Sequence, residues 1–305
     1  MSEAREIRVA VRGGEIVGHV HGAEGPDVLL VPSVGSSELV WRHTAELLAA
    51  DFRVVTFALR GHGRSTCELT GSLGIVLHDI AAVLDHVGME RPAIIGHTFG
   101  AGIAAMAAAR FPGRFSAVGV VDSPMNLSQS EYREFLQVFQ EKAIQEDLTV
   151  RIGLGCSGPA AESLQDFLDE YAPRLVNDWL ALWPTPEHAR AALEADTVVD
   201  ETGAWQRRPT FETCRRYTEL PPDAFAYPGR ELLAALQLPI WVIQPVIGQF
   251  VDALDDVVDF ARDRPGWQIR TIRGGIDALA HDDLAAELRS LLLGPAADNP
   301  NPIPA

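Results

Sequence analysis

The sequence predicts an α/β fold: a mostly parallel, eight-stranded sheet flanked by helices, with a helical segment inserted before its last two strands. Three observations carry this expectation. Short apolar runs alternate with helical segments over most of the chain. Several of those runs are continuously apolar, as in a parallel sheet covered on both faces. Residues 125–236 interrupt the alternation with a mainly helical, aromatic stretch punctuated by Pro184, Pro186, Pro221 and Pro222.

Residues 8–11 and 15–20 flank Arg12-Gly13-Gly14 and read as an opening hairpin. Residues 28–32 form a continuous apolar strand, residues 41–50 a helix, and residues 53–58 the next strand. Residues 74–87 carry the i, i+3, i+4 spacing of an amphipathic helix. Strand 93–95 runs through a glycine-flanked turn into a small-residue helix from Ala101, and strand 116–121 follows. After the inserted segment come strand 238–243, helix 253–262, strand 267–272 and helix 283–293. The expected organisation is therefore a core of 1–124 and 237–294, a helical cap of 125–236, and a disordered tail of 295–305 rich in Pro and Asn.

Composition narrows the partners. With 305 residues, 47% of them hydrophobic, the chain can bury a full core. A formal charge of -17, from 42 acidic and 25 basic residues, argues against nucleic acid or an anionic membrane as partner. Cys67, Cys156 and Cys214 are odd in number and widely spaced, fitting neither a disulfide framework nor a metal-ligand pattern. The opening Met1-Ser2-Glu3-Ala4-Arg5-Glu6 lacks the features of a signal peptide, and no run approaches a membrane span. The expectation is a cytoplasmic protein, monomeric or homodimeric, acting on a small apolar molecule and needing no cofactor or metal. His19 and His21 share one strand face but have no third ligand at a suitable spacing.

The motifs add a family. Gly96-His97-Thr98-Phe99-Gly100 ends an apolar strand and opens a helix, the context of a nucleophile elbow with Thr where Ser is usual. Arg60-Gly61-His62-Gly63-Arg64-Ser65, Asp79-Ile80 through Val83-Leu84-Asp85, and Val121-Asp122-Ser123-Pro124 follow the same order and spacing. Over residues 8–294 the chain resembles the α/β-hydrolase family, as a divergent member with a degenerate catalytic triad. That resemblance implies a nucleophile at the elbow, a His base, an acid to orient it, and an oxyanion hole.

Set on this sequence, the resemblance leaves gaps. The usual His-Gly after the third strand reads Pro32-Ser33-Val34-Gly35, so the oxyanion frame would be the Val34 and Phe99 amides with the Ser33 hydroxyl as an added donor. Ser33 is otherwise a loop serine satisfied by local backbone. The turn that usually carries the acid reads Gln244-Pro245-Val246-Ile247-Gly248-Gln249, and Asp252 comes too late. Asp122 is the better substitute, or else a cap for the turn that follows. Asp277 occupies the place of the usual His. His281 lies four residues on, as a displaced base or as a solvent-facing residue at the start of the last helix. An unperturbed carboxyl near 3.9 is a weak base, although burial under an apolar cap would raise it. His97 and His62 are expected to be structural. Trp179, Trp183, Phe135 and Phe139 are expected in the substrate pocket, with Tyr171 and Trp205 as further cap aromatics. Arg207, Arg208, Arg215 and Arg216 offer a cation towards a carboxylate or enolate.

Three functions remain open. The first is non-hydrolytic acid/base chemistry (elimination, cyclisation or isomerisation) on a small apolar substrate, using Thr98, Asp277, Ser33, Asp122 and His281. The resemblance makes a polyketide-like or other specialised metabolite plausible as that substrate. The second is an esterase-like hydrolase with a rebuilt Thr98–His281–Asp122 triad. The third is a ligand-binding or scaffold protein without catalysis.

Overall fold

A computed structural model of the chain describes residues 4–177, 183–220 and 227–294. The chain opens with an antiparallel hairpin, β1 (Arg5–Val11) and β2 (Gly14–His21), then enters β3 (Asp27–Val31). A 3-10 turn at Glu38–Trp41 leads into α1 (Arg42–Leu48), followed by β4 (Arg53–Phe57) and α2 (Gly74–Val87). Gly88 stops α2 in the left-handed conformation, which costs a residue without Cβ nothing. Next come β5 (Ala93–His97), α3 (Phe99–Arg110) and β6 (Ala117–Val121).

The segment after β6 holds α4 (Gln129–Val138), α5 (Lys142–Ile152), β7 (Ser157–Gly158), α6 (Ala161–Asn177), α7 (Pro186–Ala195), β8 (Thr197–Val199), β9 (Trp205–Arg207), α8 (Phe211–Thr218) and α9 (Arg230–Ala235). A capping box between Ser128 and Glu131 starts α4. The helices match expectation. The small antiparallel sheet β7-β9-β8 does not, since strands of two or three residues leave no periodicity to read. The alternation resumes with β10 (Ile240–Pro245), α10 (Leu254–Ala261), β11 (Trp267–Ile272) and α11 (Asp282–Leu292).

The main sheet has eight strands in the order β1-β2-β4-β3-β5-β6-β10-β11. β1/β2 and β2/β4 pair antiparallel; every other neighbour pair is parallel. β3, β5 and β6 are almost wholly buried, which explains their unbroken apolar sequences. One apolar cluster packs α2 and α3 on one face, and a second packs α1 and α11 on the other. A third, smaller cluster gathers Phe167, Leu168, Leu193 and Trp205 within the inserted segment. The expected tail at 295–305 lies outside the described residues, as does Trp179. No helix among the described residues is long and apolar enough to cross a membrane.

A buried acidic pair joins the inserted segment to the sheet. Glu38, in the turn after β3, and Asp196, at the end of α7, are each at most 3% exposed. Burial pushes the Glu38 carboxyl up to about 7, with the nearby Asp196 adding to it, and pushes Asp196 up to about 6. Both values are raised in the folded state, so their stabilising contribution is complete below the ordinary carboxylate range and is lost as pH rises through about 6 and about 7. Stability is therefore expected to fall by several kcal/mol, on the order of 6 kcal/mol at most, from this source between pH 4 and pH 7.5. Glu38→Gln should flatten the slope in urea melts at stepped pH; an unchanged slope would rule the pair out as its origin.

Candidate active site

β5, the turn at Thr98 and α3 define the site. Close backbone contact imposes this turn. A Cβ added at Gly96 would lie 2.3 Å from the Gly100 carbonyl oxygen, and one at Gly100 would lie 2.3 Å from the Pro32 carbonyl oxygen. Thr98 is forced to φ 45°, ψ -116°, and is one of two non-glycine residues at positive φ among the described residues. A β-branched residue there carries strain of about 1–3 kcal/mol. Its backbone is locked on both sides: Thr98 N–H donates to Val121 O at 3.0 Å, and Ser123 Oγ donates to Thr98 O at 3.0 Å.

The Thr98 side chain meets Ser33 rather than a histidine. Thr98 Oγ1 donates a short hydrogen bond to Ser33 Oγ, which in turn donates to Val34 O at 3.3 Å. Both hydroxyls are buried and line a cavity of about 450 Å³. The loop carrying Ser33 and Val34 is braced from behind. Gly35 N–H donates to His62 Nε2 at 3.1 Å, and His62 Nδ1 lies 2.8 Å from Arg60 O. That pair of contacts makes Nε2 the acceptor and Nδ1 the donor, fixing a neutral tautomer. Burial pushes His62 down to about 4, so the brace stays neutral at ordinary pH. His62 is structural, as expected. No described group accepts from the Val34 N–H, and Phe99 N–H opens α3, where first-turn amides lack helical partners. Both residues line the cavity, the place where the sequence leads one to expect an oxyanion frame.

Most of the remaining lining is apolar, although His97, Asp147, Arg215, Thr218 and Gln249 also line the cavity. Phe135 on α4 and Phe139, which caps its C-terminal end, line it, and Phe99 and Phe250 join them in one aromatic group. Phe99 and Phe135 stack with centroids 5.5 Å apart, and Phe135 meets Phe139 and Phe250 edge-on at 5.1 and 5.3 Å. Ile144 and Leu148 of α5, together with Phe211 of α8, close the wall. Trp183 is a correction: it packs, half-buried, between the second and third apolar clusters and is not among the described lining residues. Tyr171 and Trp205 likewise belong to the inserted segment's own cluster.

The two residues expected to move protons lie elsewhere. Asp277 sits in a 3-10 turn at Ile276–Ala280, where its Oδ1 accepts from Gly275 N–H at 2.9 Å and its Oδ2 lies 2.8 Å from His281 Nε2. The side chains are 41% and 48% exposed and are absent from the cavity's described lining. Partial burial would raise the Asp277 carboxyl, but the Gly275 amide and the His281 ring outweigh it and hold it below the ordinary range. The expectation of an inward, base-like Asp277 is therefore corrected. The short turn spends the loop on a local pair, and His281 bonds to Asp277 rather than to Thr98.

Asp122 is brought close in the fold, but its carboxylate is already occupied. Gln244 Nε2 donates to it at 2.8 Å, Gln249 N–H at 3.1 Å and Phe250 N–H at 3.3 Å. The Thr98–His281–Asp122 relay is thus not assembled. His97 is buried against the edge of Trp41, with centroids 6.3 Å apart, and burial pushes it down to about 3. Cys214 also lines the cavity, and burial pushes its thiol up to about 12, which removes it as a nucleophile. Of the four arginines, only Arg215 is among the described lining residues, and it is paired with Glu212 and Glu219. Arg207 is buried on the Ile152 carbonyl, Arg208 pairs with Glu68 and Arg216 with Glu212. No group of three or more His, Cys, Asp or Glu among the described residues is arranged to hold a metal ion.

The sequence model of the alpha/beta hydrolase fold matches residues 21–210, more than half of the chain. The chain belongs to this family. A putative carbamate hydrolase RutD from Caulobacter sp. (strain K31) is 32% identical over 108 residues, 34% of this chain and 40% of that protein. An epoxide hydrolase from Caballeronia sordidicola is 32% identical over 118 residues, 37% of this chain and 36% of that one. The similarity thus spans well under half of either relative. Among solved structures, a thioesterase domain from the curacin biosynthetic pathway superposes with a TM-score of 0.69 at 20% identity, covering 96% of this chain and all of that one. E-2-(acetamidomethylene)succinate hydrolase superposes at 0.68 with 16% identity, covering 95% of this chain and 99% of that one. At such identities the superpositions establish the fold.

The elbow geometry yields a direct test. Thr98→Ser removes the β-branch and should raise stability by roughly 0.5–1 kcal/mol in thermal melts. Since no described imidazole bonds to the hydroxyl, the same variant should leave p-nitrophenyl acetate hydrolysis at background. A burst of p-nitrophenol would instead reveal a working base at the elbow.

Proposed function

We propose that this α/β-hydrolase-fold protein is an enzyme that converts a small, uncharged, largely apolar carbonyl compound without forming an ester to the chain. The carrying observation is the Thr98–Ser33 hydroxyl pair at the polar end of an apolar cavity, with no imidazole among the described residues bonded to either oxygen. An acyl-enzyme route needs a base to take the nucleophile's proton as the bond forms. In its absence, the groups at hand favour a reaction that builds negative charge on a substrate oxygen. The Val34 and Phe99 amides and the two hydroxyls supply donors there, in a water-poor setting where each counts for more than in water. Elimination, cyclisation and isomerisation have this character, and a polyketide-like metabolite has the size and polarity to match. Protons then move within the substrate or to solvent, because Asp277 and His281 lie outside the cavity's described lining.

A second reading, a ligand-binding protein without turnover, is favoured by the same lack, among the described residues, of a base hydrogen-bonded to the Thr98 or Ser33 hydroxyl. The hydrolase names of the relatives support a hydrolytic reading only if a base reaches Thr98.

Product analysis after incubation with neutral, enolisable aryl and polycyclic ketones separates the readings. An isomer or a dehydrated product is the expected result, with turnover falling about 10²-fold in Thr98→Val or Ser33→Ala. Binding without conversion across the panel would leave the ligand-binding reading. A covalent adduct on Thr98, seen by intact-protein mass spectrometry with an ester substrate, would restore the hydrolase.

A further inference from the structure

Asp122 stands where some family members keep the acid that orients the catalytic His, yet here it serves no His. Its φ of 39° makes it, with Thr98, one of the two strained non-glycine positions among the described residues. Strain of this kind persists where surrounding structure over-determines it. At 1% exposure, its carboxylate accepts from Gln244 Nε2, Gln249 N–H and Phe250 N–H. Gln244 is itself fully buried and oriented: its Oε1 accepts from Asn126 Nδ2 at 2.9 Å. Gly248 lies against this group, and a Cβ there would fall 2.5 Å from Asp122 Oδ1 and 2.6 Å from Gln244 Nε2. The loop after β10 carries no carboxylate from Val246 to Val251 and closes over that of Asp122, at the end of β6.

The two ends of this network carry the aromatic wall. Phe250, whose amide Asp122 holds, packs edge-on against Phe135. Asn126 lies in the turn Pro124–Asn126, two residues before the Ser128 cap of the helix that bears Phe135 and Phe139. We propose that Asp122 is a positioning residue that fixes the aromatic wall through the Asn126–Gln244–Asp122 network, and so gives the cavity its preference for flat, aromatic, uncharged ligands. The proposal rests on the cavity being the ligand site. Charge matters to it: the carboxylate accepts from Gln244 Nε2 and Phe250 N–H on Oδ1 and from Gln249 N–H on Oδ2, whereas a neutral amide sets its own N–H₂ either against Gln249 N–H or against both Gln244 Nε2 and Phe250 N–H.

The test uses Asp122→Asn, which tolerates the same positive φ, the swap Asp122→Asn/Gln244→Glu, and Phe135→Ala. The swap returns one carboxylate to the network, with the amide introduced at position 122 donating to the carboxylate introduced at position 244. The probe is prodan, a neutral planar naphthyl ketone whose emission reports its surroundings, with cyclohexyl methyl ketone as a non-planar competitor. Asp122→Asn should weaken prodan roughly tenfold while changing the competitor less than about threefold, and the swap should recover part of the loss. Hydrogen exchange at Gln249 should slow in the swap relative to Asp122→Asn, while Phe250, whose acceptor at Oδ1 the swap replaces with an N–H₂, should exchange faster than in the wild type in the swap.

Faster exchange with unchanged prodan affinity would overturn the proposal and leave the cavity as the ligand site. So would equal losses for both ketones. Prodan that ignores the wild-type protein, or binds Phe135→Ala equally well, would reject the cavity as that site and the proposal with it. If Asp122→Asn does not fold, Gly248→Ala disturbs the same network with the carboxylate retained, and the same selective loss is expected.

Discussion

The closeness of β5, α3 and the loop after β3 is the constraint on which the site depends. Gly96 and Gly100 let three backbone segments meet where no Cβ fits. The meeting pins Thr98 in a conformation its side chain disfavours and brings Ser33 within hydrogen-bonding distance. It also places Phe99, the first residue of α3, in the cavity lining. Packing therefore dictates the turn whatever chemistry it serves, and the turn alone is no evidence of a nucleophile. What the hydroxyl can do is decided by its neighbours, and those belong to a hydrogen-bonding pair.

Much of this architecture is legible in the sequence, for a physical reason. β3, β5 and β6 are buried on both faces, so their residues are apolar without interruption, and the elbow glycines mark an approach that no other residue allows. The placement of Val34, Phe99, Phe135 and Phe139 beside the cavity is legible too, because these residues follow on those strands. The Asp277–His281 pair is not. Counting residues from the final strand places Asp277 at the pocket, but a 3-10 turn closed by Gly275 and His281 redirects it. Trp183 misleads because a large apolar ring fits a cavity or a core equally well. The partners of Asp122 are hidden most deeply, since Gln244 is 122 residues away in sequence and nothing local announces the match.

Electrostatically the molecule keeps several groups at and near the cavity neutral, alongside buried charges such as the Arg60–Asp79 pair, in a chain of formal charge -17. Burial drives the His62 and His97 rings far below neutrality and the Cys214 thiol far above it. The cavity thus holds its protonation state across the ordinary pH range, and its donors are hydroxyls and amides that do not titrate there. The Glu38–Asp196 pair, between the inserted segment and the sheet, is the exception. Proton-linked changes near neutrality therefore act on how that segment sits rather than on the polar end of the cavity.

Lys142 is the sole lysine in the sequence, and it opens α5, the helix whose Ile144 and Leu148 form part of the cavity wall. Its side chain is 84% exposed and makes only a loose ion pair with Glu146, at 3.2 Å. Evolution has thus left one ε-amine on the outer edge of the wall that a ligand would press from within. An amine-reactive dye would place a single lysine label there, turning a compositional oddity into a reporter of how the wall moves.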